Sequence, residues 1–137
     1  MKTLTDIAKA HNLKTHLDGA RFANAMIALD CTPAELTWKS GIDVVSFGAT
    51  KNGCLGVEAV VFFNPEMAWE FELRRKRGGH LLSKHRMLSA QMEGYLKDDL
   101  WIDLARKANS ECQKLLSQIE KNPNIKLYPL EPSNSPT

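Results

Sequence analysis

The apolar positions Leu4, Ile7 and Ala8 recur on one helical face and predict a helix over residues 3–11. Thr3 and Asp6 approximate a capping box at its start. Residues 13–17 form a short stretch that predicts a strand. Residues 20–28 read as a helix rich in small side chains, which lets neighbouring backbones come close. Thr32-Pro33-Ala34-Glu35 is a helix start, with Thr at the N-cap, Pro at the first helical position and Glu at the third. That helix is expected to end near Gly41.

The period then changes. IDVVSF at residues 42–47 is apolar on both parities, the pattern of a strand covered on both faces. GATKNGCLG follows, with three glycines in nine residues, and VEAVVFF at 57–63 is the next strand. A loop this short favours antiparallel pairing, because a parallel partner needs a crossover of about a dozen residues or more. Asn64-Pro65-Glu66 starts a further helix, running to about Arg77 and stopped by Gly78-Gly79. Two more helices are expected, over residues 81–96 and 99–120. Their inward faces are read as Met87, Ala90, Gln91 and Gly94 in the first, and Leu104, Ala108, Cys112 and Leu115 in the second. Asn122-Pro123-Asn124 breaks the last helix and residues 125–128 read as the opening of a strand. The Pro-rich tail LEPSNSPT is expected to be poorly ordered.

Strands mixed with helices in this way make an α/β chain with a mixed sheet flanked by helices. The chain opens directly in a helix and stops as a strand begins, and so small a sheet with this much helix leaves apolar edges open. The expectation is a piece of a larger fold, incomplete at both ends.

Composition narrows the classes. A chain of 137 residues with 43% hydrophobic and 25% charged residues has globular values, which argues against a disordered, collagen-like or disulfide-framework protein. Eighteen basic against sixteen acidic residues leave a net charge of +2, too mild to indicate a nucleic-acid or membrane-surface partner. No apolar run approaches the ~18 residues of a membrane span. Asp6 and His11 interrupt the stretch where a signal peptide would be apolar. Cys31, Cys54 and Cys112 make neither a metal knuckle nor a disulfide framework. Each is expected to be a small buried side chain in a reducing cytoplasm, and no metal site is expected. Met26, Met87, Met92 and the three tryptophans are assigned to packing.

Two clusters carry candidate chemistry. His16-Leu17-Asp18-Gly19-Ala20-Arg21 ends a short strand, where α/β sheets place their ligands, and its carboxylate and guanidinium can face one cavity. Ser46 to Gly53 holds Lys51 at the exit of a strand, where a lysine is either desolvated, which favours a nucleophilic amine, or paired. Asp18 and Lys51 are 33 residues apart, a strand–helix–strand distance that can set them side by side. Plainer readings stand beside these: Asp18-Gly19 as a common turn, Asp18 and Arg21 as a surface ion pair, and Lys51-Asn52-Gly53 as a solvated loop.

HLDGARFANA followed by SFGATKNGCLG resembles the threonine aldolase family, within the aspartate-aminotransferase-like, fold type I pyridoxal-phosphate enzymes. RRKRGGHLLSKHRMLSAQ is similar to that family's segment after the cofactor lysine. The resemblance runs from about residue 13 to at least residue 108. It implies that residues 1–121 are the C-terminal portion of the cofactor-binding large domain, with the helices leading out of it, and that residues 122–137 begin the small domain.

The resemblance also implies roles. Lys51 matches the lysine that holds pyridoxal 5'-phosphate covalently, and Asp18 the carboxylate that keeps the pyridine nitrogen protonated, so that the ring can accept electrons. Ala20 would lie against the ring, and Thr50 would hydrogen-bond the cofactor. Arg21 matches an arginine that binds the substrate carboxylate through its planar fork, and Lys76 a lysine near the site's mouth. His16 is read as support for Asp18. The implied activity is retro-aldol cleavage of a β-hydroxy-α-amino acid such as threonine to glycine and an aldehyde, by a cytoplasmic homodimer or homotetramer with no nucleic-acid or membrane partner. The family's cofactor-phosphate loop lies upstream of these motifs and a second substrate arginine downstream, so these residues alone are expected to hold the cofactor poorly. Two alternatives remain: a related β-eliminating lyase, and a non-catalytic basic interaction module around residues 74–86, whose cations otherwise complement a helix end.

Overall fold

The computed structural model describes residues 1–125. The first helix, α1 (Lys2–Ala10), lacks the expected capping box; Asp6 instead pairs with Lys2 at 2.7 Å, one helical turn away. The buried Thr5 donates its hydroxyl to the Ser40 carbonyl and so ties α1 to the segment before the central strand.

Strand β1 (His16–Gly19) begins later than the apolar pattern suggests. A side-chain clasp sets this boundary. Thr15 donates its backbone N–H to Asp43 Oδ2 at 2.9 Å, and the Asp43 N–H donates to Thr15 Oγ1 at 3.0 Å. The chain continues through α2 (Phe22–Ala28) and α3 (Pro33–Leu36), where Thr32 and Glu35 form the expected capping box. It then turns at Gly41 into β2 (Val44–Gly48).

β2 is the central strand of three, in the order β1-β2-β3. It runs parallel to β1, with His16 opposite Val44 and Asp18 opposite Ser46. It runs antiparallel to β3 (Glu58–Phe62), with Ser46 opposite Val60, as the short loop requires. One face of the sheet carries the core: Leu17, Val45 and Phe47 pack against Phe22, Ala23 and Met26 of α2, Tyr95 of α5 (Arg86–Leu96), and Trp101 and Ala105 of α6 (Leu100–Ile119). The Phe47 ring meets Phe22 and Trp101 edge-on at 5.4 and 5.6 Å.

The expectation that the central strand is covered on both faces is not met among the described residues. Residues one apart along a strand alternate faces, so His16, Asp18, Ser46 and Val60 share the side opposite the core, and their polar members belong in solvent. α4 (Ala68–Arg77) reaches that side through Phe71, whose ring centre is 5.2 Å from that of Phe62.

Three other expectations shift. α5 starts at Arg86 rather than near 81, because Lys84 adopts a positive φ of 57° that ends any helix before it. Its inward residues are Leu88, Met92 and Tyr95, with Gln91 beside them, while Met87 is exposed. In α6 the inward stripe is Trp101, Leu104 and Ala105, and Ala108, Cys112 and Leu115 face solvent. Trp38 and Trp69 are likewise exposed, while Cys31 and Cys54 are half-buried. No helix among the described residues is long and apolar enough to cross a membrane. The strand read over residues 125–128 and the tail fall, beyond Ile125, outside the described residues.

Candidate active site

Because β1 and β2 are parallel, both deliver their following residues to one end of the sheet. Beyond β1 lie Ala20 and Arg21; beyond β2 the chain makes a single tight turn, Thr50–Asn52, with Lys51 in its middle. Asp18 and Lys51 therefore occupy the same carboxyl end of the parallel pair, the place where open α/β sheets bind ligands. The two segments touch. A Cβ added at Gly48 would stand 2.8 Å from both Cα and the carbonyl oxygen of Ala20, so only glycine allows this approach.

Asp18 is exposed and oriented: its Oδ1 accepts the Ala20 N–H at 3.0 Å, and no hydrogen bond engages Oδ2 among the described residues. On the same face, His16 Nε2 lies 2.7 Å from Ser46 Oγ, so His16 reaches across the ladder rather than to Asp18. Arg21 sits at the N-cap of α2, exposed, and makes no ion pair with Asp18 among the described residues. Lys51 is exposed as well, and no acid pairs with it there. Among the described residues the amine is thus neither desolvated nor paired but exposed.

The turn that carries Lys51 is anchored from behind. Thr50 Oγ1 accepts the Val57 N–H at 3.1 Å and donates to the Val57 carbonyl at 3.2 Å. Its one proton is thereby engaged within the chain and is not free to be given to a cofactor. Gln91 Oε1 accepts the N–H groups of Leu55 and Gly56 at 3.0 and 3.4 Å. Asn52 is buried, and its amide donates to Tyr95 Oη at 2.6 Å and to the Trp101 carbonyl at 2.9 Å. Burial pushes the Tyr95 hydroxyl above its ordinary pKa, against the opposing pull of the Asn52 hydrogen bond. Burial likewise raises the Cys54 thiol, with Glu58 adding to it. Sequence reasoning turned Gln91 inward without a role, read Asn52 as part of a solvated loop, and missed Tyr95. The available signal was the phenol itself, since a tyrosine in a core stripe needs a polar partner.

Lys76 is exposed on α4, and no described hydrogen bond or ion pair links it to the other residues. Because β3 runs antiparallel, α4 departs from the opposite end of the sheet. The basic stretch is not uniformly a solvated face. Arg74 pairs with Glu70, but Arg75 Nε and His85 Nδ1 are shut from solvent without a hydrogen-bond partner among the described residues. An apolar cleft of about 490 Å³, lined by Phe22, Trp38, Val45, Phe47, Val61 and Trp101 among others, opens on the core side of the sheet rather than at the Asp18–Lys51 end.

Residues 1–131 match the family model described as beta-eliminating lyase. The chain belongs to the beta-eliminating lyase family. This family has the fold type I architecture of pyridoxal-phosphate enzymes, of which the mixed sheet and its helices are a part. Among curated relatives, this beta-eliminating lyase chain is 47% identical over 132 residues to a low specificity L-threonine aldolase of Pseudomonas sp. (strain NCIMB 10558). It is 44% identical over 133 residues to a low specificity L-threonine aldolase of Pseudomonas aeruginosa. Each match covers 96% of this chain and 38% of the relative, so the chain spans well under half the length of the curated relatives it matches. The donor set suits the family's cofactor: an accessible primary amine, a carboxylate with one oxygen unengaged, and small residues, Ala20 and Gly48, where the two segments meet.

Proposed function

We propose that the protein is a pyridoxal-phosphate-dependent aldehyde-lyase that cleaves threonine or allo-threonine to glycine and acetaldehyde. The observation that carries this reading is the parallel β1–β2 register, which brings Asp18 and the Lys51 turn to one end of the sheet, in a chain similar to two low specificity L-threonine aldolases.

In this reading Lys51 Nζ holds the cofactor covalently and Asp18 faces the pyridine nitrogen. When bound, pyridoxal phosphate supplies an electron sink for the pair freed as Cα–Cβ breaks. Asp18 Oδ2 would accept the hydrogen bond of the protonated ring nitrogen, while the bond from Ala20 N to Oδ1 keeps the carboxylate from turning away. Ala20 presents only a methyl group to the ring. Arg21 binds the substrate carboxylate as a bidentate fork and so fixes which bond at Cα is aligned for cleavage. Thr50 contributes through its loop rather than by donating its hydroxyl, and Lys76, whose helix leaves the opposite end of the sheet, is given no part in the chemistry. Overall the β-hydroxyl loses its proton and Cα gains one. Residues 1–121 belong, in the same proposal, to the large domain of a cytoplasmic homo-oligomer, with residues 122–137 beginning the small domain.

The test is performed on the protein in its native, full-length assembly. Addition of pyridoxal phosphate is expected to give a visible absorbance band that Lys51→Ala abolishes, and borohydride reduction is expected to leave the cofactor's mass on the Lys51 peptide. Aldehyde release from threonine supports the aldolase. Ammonia release from serine without aldehyde from threonine assigns the related β-eliminating reaction instead. Absence of any cofactor adduct, with salt-dependent nucleic-acid binding, replaces both with the basic module.

A further inference from the structure

Lys51 makes no described contact that fixes its own side chain, and it sits on one isolated turn. Such a turn has no cooperative helix to stabilise it and takes its shape from tertiary anchors. Of the three residues in the turn only Asn52 is buried. Side chains one apart on a tight turn of this kind diverge by about 120°, so anchoring Asn52 inward determines the direction left to Lys51.

We infer that Asn52 and Tyr95 are a positioning pair for Lys51, with the Asn52 amide, clamped between the Tyr95 hydroxyl and the Trp101 carbonyl, aiming the lysine amine at the open end of the sheet. This rests on the proposed cofactor role of Lys51. The orientation of the amide is defined by its partners. Trp101 offers a carbonyl, which can only accept, so the nitrogen and not the oxygen of Asn52 must face it. Both amide hydrogens then have partners, one on α5 and one on α6. The turn is thereby bolted to both α5 and α6, which also pack against each other, and Tyr95 is itself wedged against Phe47 of β2 with ring centres 6.1 Å apart. A raised phenol pKa keeps Tyr95 in the neutral, hydrogen-bonding form. Behind Asn52 the chain reverses at Gly53, with φ at 118°, so the geometry on both sides of the amide is constrained.

The experiment compares Tyr95→Phe and Asn52→Ala with wild type in the full-length, natively assembled protein. Tyr95→Phe keeps the ring and removes only the acceptor, so it remains informative should Asn52→Ala fold poorly. Both are expected to slow attachment of pyridoxal phosphate to Lys51 about tenfold or more, because misplacing a reacting group costs rate before it costs binding. Both are also expected to alter the visible circular dichroism of the bound cofactor and to lower kcat for threonine while KM stays within about twofold. Variants that melt at a lower temperature yet attach cofactor at the wild-type rate, with wild-type visible dichroism and kcat, would reduce the pair to a structural role and overturn the inference alone. Failure of wild type itself to attach cofactor at Lys51 overturns the function reading and this inference together.

Discussion

Asp18 stands directly opposite Ser46 in the parallel ladder, and Ser46 in turn meets His16 Nε2 at 2.7 Å. This polar patch shares its face of the sheet with Glu58 and with the apolar Val44, Val60 and Phe62. Asp18 lies toward the end where β1 and β2 release Ala20 and the Lys51 turn, and the ladder gives the carboxylate a rigid floor. The backbone of two strands, rather than a flexible loop, thus sets where Asp18 sits.

Asp18→Asn separates charge from shape. An asparagine oxygen can still accept the Ala20 N–H, so far-UV circular dichroism and stability are expected to stay within about 0.5 kcal/mol of wild type. Turnover of threonine by the assembled protein is expected to fall about a hundredfold or more, the scale of losing one preorganised electrostatic group. An unchanged turnover number would remove Asp18 from the chemistry.

Asp43 makes stability depend on pH. Burial alone pushes its carboxyl pKa up, but hydrogen bonds from the Thr15 N–H and hydroxyl and the nearby Lys14 ammonium outweigh it, leaving the pKa below its ordinary value. A carboxylate favoured by folding contributes stability fully above its unfolded pKa, near ~4, and loses it as pH falls through the lower folded value. Melting temperatures measured from neutral pH downward are expected to drop through this window. In Asp43→Asn the drop is expected to be shallower, on a baseline about 1–3 kcal/mol less stable at neutral pH. Parallel pH curves for the two proteins would show that Asp43 is not the responsible group.

Gly53 follows the Lys51 turn with φ at 118°, and a Cβ there would stand 2.9 Å from Leu104 Cδ1. Gly53→Ala is expected to destabilise by about 1–3 kcal/mol, chiefly from backbone strain at this positive φ, since the Leu104 methyl can move aside. Gly56 has open space around its Cα, so Gly56→Ala serves as the control and is expected to stay within about 0.5 kcal/mol. Urea denaturation midpoints distinguish the two, and equal midpoints would contradict the strain argument.

The features legible in the sequence were those written in neighbouring residues. Thr32 and Glu35 form their capping box three positions apart, Gly78 ends a helix, and the short loop between β2 and β3 forces the hairpin. The helix begun at Thr32, however, stops at Leu36, not near Gly41, because Thr37 leaves the helical conformation. The helix faces were harder. Met87 and Leu115 are apolar and correctly spaced, yet they face solvent, because the stripe that packs is chosen by what lies opposite it. The Thr3–Asp6 cap failed for a similar reason, since Lys2 offered Asp6 a better partner one turn away.

From the order of its residues alone the chain determined an α/β mixture, the carboxylate and lysine clusters, and a spacing able to bring them together. That information is local, carried by side-chain type and by separations of a few residues or one strand–helix–strand unit. Only the folded chain decided that Asp18 and Lys51 share one end of a parallel pair, and that Asn52 is held by groups 43 and 49 residues away. Contacts of that range depend on strand register and helix docking, which minimise exposed apolar area over the whole molecule at once, and no short window of sequence contains them.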